Sequence, residues 1–80
     1  MNAARISLTG RVFEDDFPPW IRRHSRKLGL ELLNLSEEQG ALVIEAFGAE
    51  PMLQALALGC ALGPESVLVD EFDIEIKSLQ

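Results

Sequence analysis

The residues best placed to do chemistry are Glu14, Asp15 and Asp16. They lie between a strand-like Gly10-Arg11-Val12 and a helix-opening Phe17-Pro18-Pro19-Trp20. A strand-to-helix junction is a natural anion site, because the first N–H groups of a helix have no partner inside it. This junction instead carries three carboxylates, and its two prolines have no N–H to offer. A carboxylate about 5 Å from a phosphate costs on the order of 3 kcal/mol per charge pair at an effective dielectric near 20. The helix terminus offsets only about 0.3–2 kcal/mol of that. The junction therefore repels anions. The same acids also have a structural use: negative charge at a helix start complements its dipole, as Arg22, Arg23, Arg26 and Lys27 do at its end.

Other chemistry-bearing residues are sparse. Glu14, Asp15 and Asp16 with Asp70 or Glu71 are candidate ligands for Mg²⁺ or Ca²⁺. Consecutive carboxylates cannot all face one ion, and no EF-hand spacing is present, so no metal site is expected. Cys60 and His24 have no visible catalytic partner and read as a small core residue and a helix-face residue. The basic cluster Arg22, Arg23, Arg26 and Lys27 reads as a solvated helix face. Docking of an acidic partner or of nucleic acid is the alternative, and the absence of interleaved aromatics argues against nucleic acid. Asn34 and Ser36 stand two apart on a strand-like run, so both point to one face.

The elements that must position these residues follow from periodicity. Ile6 to Val12 alternates and reads as a strand, with Gly10 marking a bend or a close approach by another backbone. A helix runs from about Pro18 to Leu28, with Asp16 as a capping candidate and Gly29 as its stop. Its inner stripe is Trp20 or Ile21, His24 or Ser25, and Leu28. Leu30 to Leu35 and Ala41 to Phe47 are strands joined by a hairpin at Glu37-Glu38-Gln39-Gly40. A second helix covers about Pro51 to Leu62 and closes at Gly63-Pro64. A last strand runs from Val67 to Ile76. Its alternation slips near Asp70-Glu71, which predicts a bulge. Lys77 to Gln80 reads as a loose end. The order β-α-β-β-α-β is that of a ferredoxin-like α+β sandwich, an antiparallel sheet with two helices on one face.

Composition narrows the class further. Eighty residues make one domain, 1–80, with one core, and 48% apolar content supports packing rather than disorder. A net charge of −6 argues against attraction to nucleic acid or to an anionic membrane. A single cysteine forms no internal disulfide, no run is long enough to span a bilayer, and no signal segment is visible, so a cytoplasmic location is the expectation. No cofactor is implied.

Several of these pieces together resemble the acylphosphatase family. Gly10-Arg11-Val12, Phe17, Trp20-Ile21 and Leu28-Gly29-Leu30 match, without a gap, a first half that in the family reads G-R-V-Q-G-V-G-F-R followed by a helix ending in L-G-L. Gly40 and Gly48 fall on the family's hairpin and post-strand glycines, and Gly63-Pro64 before Leu68-Val69 is similar to its closing G-P motif. The resemblance covers nearly the whole chain and implies one acylphosphatase-like domain. It also implies an activity, hydrolysis of an acyl phosphate to a carboxylate and phosphate. In that chemistry a glycine-rich loop holds the phosphate with backbone N–H groups, an Arg after the loop's Phe clamps it, and an Asn at the end of the second strand positions water.

Carried over residue by residue, those roles are lost. The loop centre falls on Glu14, Asp15 and Asp16, the clamp Arg on Pro18, and the Asn on Ser36. Loss of one preorganised donor typically costs about 10²–10³ in rate, and here three elements are missing. The expected function is that of a catalytically inactive interaction or structural module, with no catalytic residue. The alternative is an active acylphosphatase with a rearranged site, in which Asn34 replaces the Asn by a two-residue slip. The interface candidate is the second helix, Met52 to Gly63, which carries no charge. Leu53, Leu56, Ala57 and Cys60 fill its inner stripe. Met52, Ala55, Leu58, Ala61 and Leu62 are left on or near the outside, where the expected occupant is a second copy or an unknown protein.

Overall fold

A computed structural model describes residues 1–78. Strand β1 (Asn2–Arg11), helix α1 (Phe17–Lys27), strands β2 (Glu31–Glu38) and β3 (Ala41–Gly48), helix α2 (Glu50–Leu62) and strand β4 (Leu68–Ser78) follow in order. The strands form one antiparallel sheet in the order β2-β3-β1-β4. This is the expected βαββαβ sandwich.

Alternation explains the layering. In β1, Ala4, Ile6 and Leu8 are buried, and each stands opposite an inward residue of β3: Ala46, Ile44 and Leu42. Phe17 and Ile21 of α1 and Leu53, Leu56, Ala57 and Cys60 of α2 complete this core. The opposite sheet face is mostly polar, but it also carries the paired Ala3 and Phe47, and Val43, which is buried near Arg5, Ser7 and Glu38. Arg5 forms ion pairs with Glu38 and Glu45 across that face.

Several local devices set the ends of elements. Ser25, the one buried polar residue of α1, donates its hydroxyl to the Ile21 carbonyl at 2.8 Å. Helix α1 ends as the N–H groups of Gly29 and Leu30 return to the carbonyls of Arg26 and Ser25, the pairing of a Schellman motif. The β2–β3 reversal is tighter than expected: Glu37 and Glu38 belong to β2, and only Gln39 and Gly40 turn, both at positive φ as a type I′ hairpin requires. The sheet also extends past the expected ends. β1 pairs from Asn2 onward, and Lys77 and Ser78 pair with Ala3 and Asn2 rather than hanging loose. The rest of that expected loose end, 79–80, lies outside the described residues.

The slip expected near Asp70-Glu71 is a bulge. Thr9 faces Glu71 and Gly10 faces Val69, which leaves Asp70 as the extra residue. Gly10 has φ +119°, and a Cβ there would collide with the Leu68 carbonyl and crowd the Asp70 N–H at 2.8 Å. Glycine is required for both reasons. A second bulge, at Leu33 between Leu32 and Asn34, has no counterpart in the sequence reading.

Candidate functional site

At the β1–α1 junction three carbonyl acceptors take up the amides of Val12, Phe17 and Trp20. The Val12 N–H turns back to the Gly10 carbonyl at 3.0 Å, and Val12 is buried. The Phe17 N–H, first of the helix, donates to the Glu14 carbonyl at 3.0 Å. Pro18 and Pro19 follow and have no N–H. The next donor, Trp20 N–H, enters the helix ladder on the Asp16 carbonyl at 3.2 Å. The first turn of α1 therefore has no uncommitted amide to present, and the ordinary anion affinity of a helix start is absent.

The three acids do separate things. Asp15 is exposed, Glu14 is half-buried, and Asp16 occupies the N-cap position. The Asp16 carboxylate makes no capping bond, contrary to the sequence reading. The cause is chemical: the second and third helix positions, whose N–H groups a cap would bind, are the two prolines. Its oxygens instead accept the Ser66 hydroxyl at 2.7 and 2.8 Å, which ties the junction to the loop between α2 and β4. Nothing in the sequence signals this pairing of residues 50 apart.

The remaining singled-out residues lie elsewhere. Asn34 and Ser36 do share a face of β2, as their spacing requires, but it is the open face of the sheet, away from the helices. There the Asn34 amide donates to Glu45 Oε1 at 3.2 Å and reaches Ser36 Oγ at 3.5 Å. No hydrogen bond among the described residues links either residue to Glu14, Asp15 or Asp16. Asp70 stands at the β4 bulge near Gly10, and Glu71 pairs with Thr9. No group of three potential metal ligands converges among the described residues. Arg22 lies beside β2 with Leu32 and Leu33.

Cys60 is fully buried, and burial pushes its thiol up to about 12, so it is neither nucleophile nor ligand at neutral pH. His24 stacks on Trp20 with ring centroids 5.0 Å apart and packs its Nε2 edge against Gly59. That contact assigns Gly59 to the seam between the helices. On α2, Leu58 is 59% and Leu62 84% exposed, Met52 is exposed, and Ala55 and Ala61 are half-buried. No helix among the described residues is long and apolar enough to cross a membrane.

No protein-family model and no curated protein matches the sequence. Solved structures do match the fold. The acylphosphatase from Bacillus subtilis superposes with a TM-score of 0.86 at 24% identity, over 100% of this chain and 90% of that one. An acylphosphatase from Coxiella burnetii gives 0.85 at 18% identity, over 99% and 83%. Full-length HypF, in its phosphate- and nucleotide-bound form, gives 0.83 at 21% identity, over 99% of this chain but only 10% of that much longer protein. The topology, the strand order and these superpositions agree: the chain has the acylphosphatase-like fold.

Proposed function

We propose that this chain is a small interaction or structural module that keeps the acylphosphatase fold without acyl phosphate hydrolysis. The carrying observation is the start of α1. Its one first-turn amide, that of Phe17, is held by the Glu14 carbonyl, and the next two residues are prolines. A phosphate there would meet three nearby acids and no free amide from the first turn of the helix. Pro18 at the position of the clamping Arg and Ser36 at that of the water-positioning Asn support the same reading. The alternative, a rearranged active site using Asn34, is less well supported, because the Asn34 amide is engaged with Glu45 on the open sheet face. In the module reading, the outer face of α2 is the interaction surface. Leu58 and Leu62 on it are large, apolar and exposed, and either a second copy or another protein would cover them.

The test is hydrolysis of a simple acyl phosphate beside an authentic acylphosphatase. No turnover above the uncatalysed rate is expected, and turnover within tenfold of the control overturns the proposal. A phosphate titration followed by NMR adds resolution. Pro18→Arg alone should leave the junction unshifted, because the acids remain and Phe17 N–H stays engaged. Replacement of Glu14 to Pro18 by a glycine-containing loop ending in Arg should produce shifts there. Equal phosphate binding by the parent protein would contradict the electrostatic argument.

A further inference from the structure

Helix α1 and the free edge of β2 flank a shallow, open groove that the proposed function leaves unused. Among the described residues β2 pairs only with β3, and no strand lies beside its other edge. Two depressions of about 280 and 270 Å³ run along that edge and share Arg22 and Leu32. Leucines contribute to the floor of the groove: Leu30 is buried, Leu32 is half-buried, and Leu33, at the bulge, is 54% exposed. Arg22 and Arg26, one helical turn apart, stand over it. Among the described residues no carboxylate lines either depression, in a chain with thirteen acidic residues. Four of the seven Lys and Arg residues are on α1, yet the ion pairs among the described residues all belong to Arg5.

We infer that this groove binds an extended acidic segment of another protein. Carboxylates of the segment pair with Arg22 and Arg26, and an apolar side chain between them rests on Leu32 and Leu33. The inference rests on the module reading and names a partner chemistry for it. Guanidinium groups suit this task because each takes a carboxylate through two parallel N–H donors. The charge pattern selects the occupant. A short acidic segment brings a few charges to a local positive site, whereas a nucleic acid brings a continuous charge to a chain of net −6 and finds no aromatic in the groove to stack on. A second copy offering its own β4 edge would set Glu71, Asp73 and Glu75 on the same sheet face as Glu31 and Glu38 of β2, like charge against like.

The experiment is an NMR titration of the whole chain with a blocked eight-residue peptide alternating Glu and Val. Gln-for-Glu and Lys-for-Glu versions and a twelve-residue oligothymidylate serve as controls. Shifts are expected along residues 21–27 and 30–35 with the Glu peptide. Affinity should fall at least tenfold in Arg22→Gln/Arg26→Gln and with the Gln peptide. Arg22→Glu/Arg26→Glu should bind the Lys peptide instead, which separates pairing from any loss of fold. Equal binding of the Gln peptide, absence of shifts with the Glu peptide, tighter binding of the oligonucleotide at these residues, or the same shifts on concentrating the chain alone would each overturn the inference. Acyl phosphate turnover is read separately, so failure of the groove and failure of the module reading are distinguishable.

Discussion

Helix α1 buries Phe17, Ile21 and Ser25 and exposes Arg22, Arg23, Arg26 and Lys27. Helix α2 buries Leu53, Leu56, Ala57 and Cys60 and exposes Leu58 and Leu62. Both lie on the same face of one sheet, and both meet the same requirement inward, an apolar stripe against Ile6, Leu8 and Ile44. Outward, folding asks only for solubility, and the two differ completely. The inner faces report how the chain folds. The outer faces, which the core does not constrain, are where its interactions are to be sought.

The largest expected effect tests the similarity. Ile21→Ala and Leu56→Ala each delete a fully buried side chain, one from each helix. Each should cost about 2–5 kcal/mol in urea unfolding, with unchanged denaturant slope. A loss under about 1 kcal/mol in only one of them would mean that the two inner faces are not equivalent. The next effect tests the difference. Leu58→Glu and Arg23→Glu both alter exposed positions, and each should change stability by no more than about 0.5 kcal/mol. Only Leu58→Glu should weaken association, because burial of a leucine in an interface contributes about 1.5–3 kcal/mol. Sedimentation velocity reads the homodimer form of this idea, and a monomeric wild type at high concentration excludes it. Equal capture of a protein partner by wild type and Leu58→Glu excludes the docking form.

The smallest effect lies at the seam between the helices. Gly59→Ala gains about 0.8–1.0 kcal/mol in helix propensity. The new methyl displaces the His24 ring from its stack on Trp20, a loss of about 0.5–1.5 kcal/mol. The two effects should nearly cancel in the wild type. In a His24→Ala background the same change should stabilise by about 0.5–1 kcal/mol, as measured by the urea midpoint. A clear stabilisation in both backgrounds would remove His24 from the seam.

Much of this architecture was legible before the structure. The inner stripe of α2 is read correctly at all four residues, because Leu53, Leu56, Ala57 and Cys60 recur at the i, i+3, i+4, i+7 spacing of one helix face. Gly10 and the Asp70 slip are each legible in the sequence, and the structure joins them at one bulge where β4 crowds β1. The missed features depend on information that pattern does not carry. Asn2 to Arg5 lacks a clear apolar alternation, so the start of β1 emerges only from its pairing with β3 and β4. The Leu33 bulge falls within an apolar run that hides a register shift. At the candidate site, the acids, Pro18 and Ser36 were visible as types. The capture of Phe17 N–H by Glu14 and of Asp16 by Ser66 was not, since both depend on the path of a loop.

The two-residue turn at Gln39-Gly40 also sets an order of events in time. It makes β2 and β3 the one strand pair whose partners are neighbours along the chain. A hairpin of this kind closes in about 1–10 μs. Every contact of β1 with β4, by contrast, joins the two ends of the chain, and closure of so long a loop precedes any gain from pairing. β1, one of the two central strands of the finished sheet, must therefore wait for a partner made last. Refolding should be limited by the arrival of β4, which leaves the Ile6 and Leu8 edge exposed in the meantime.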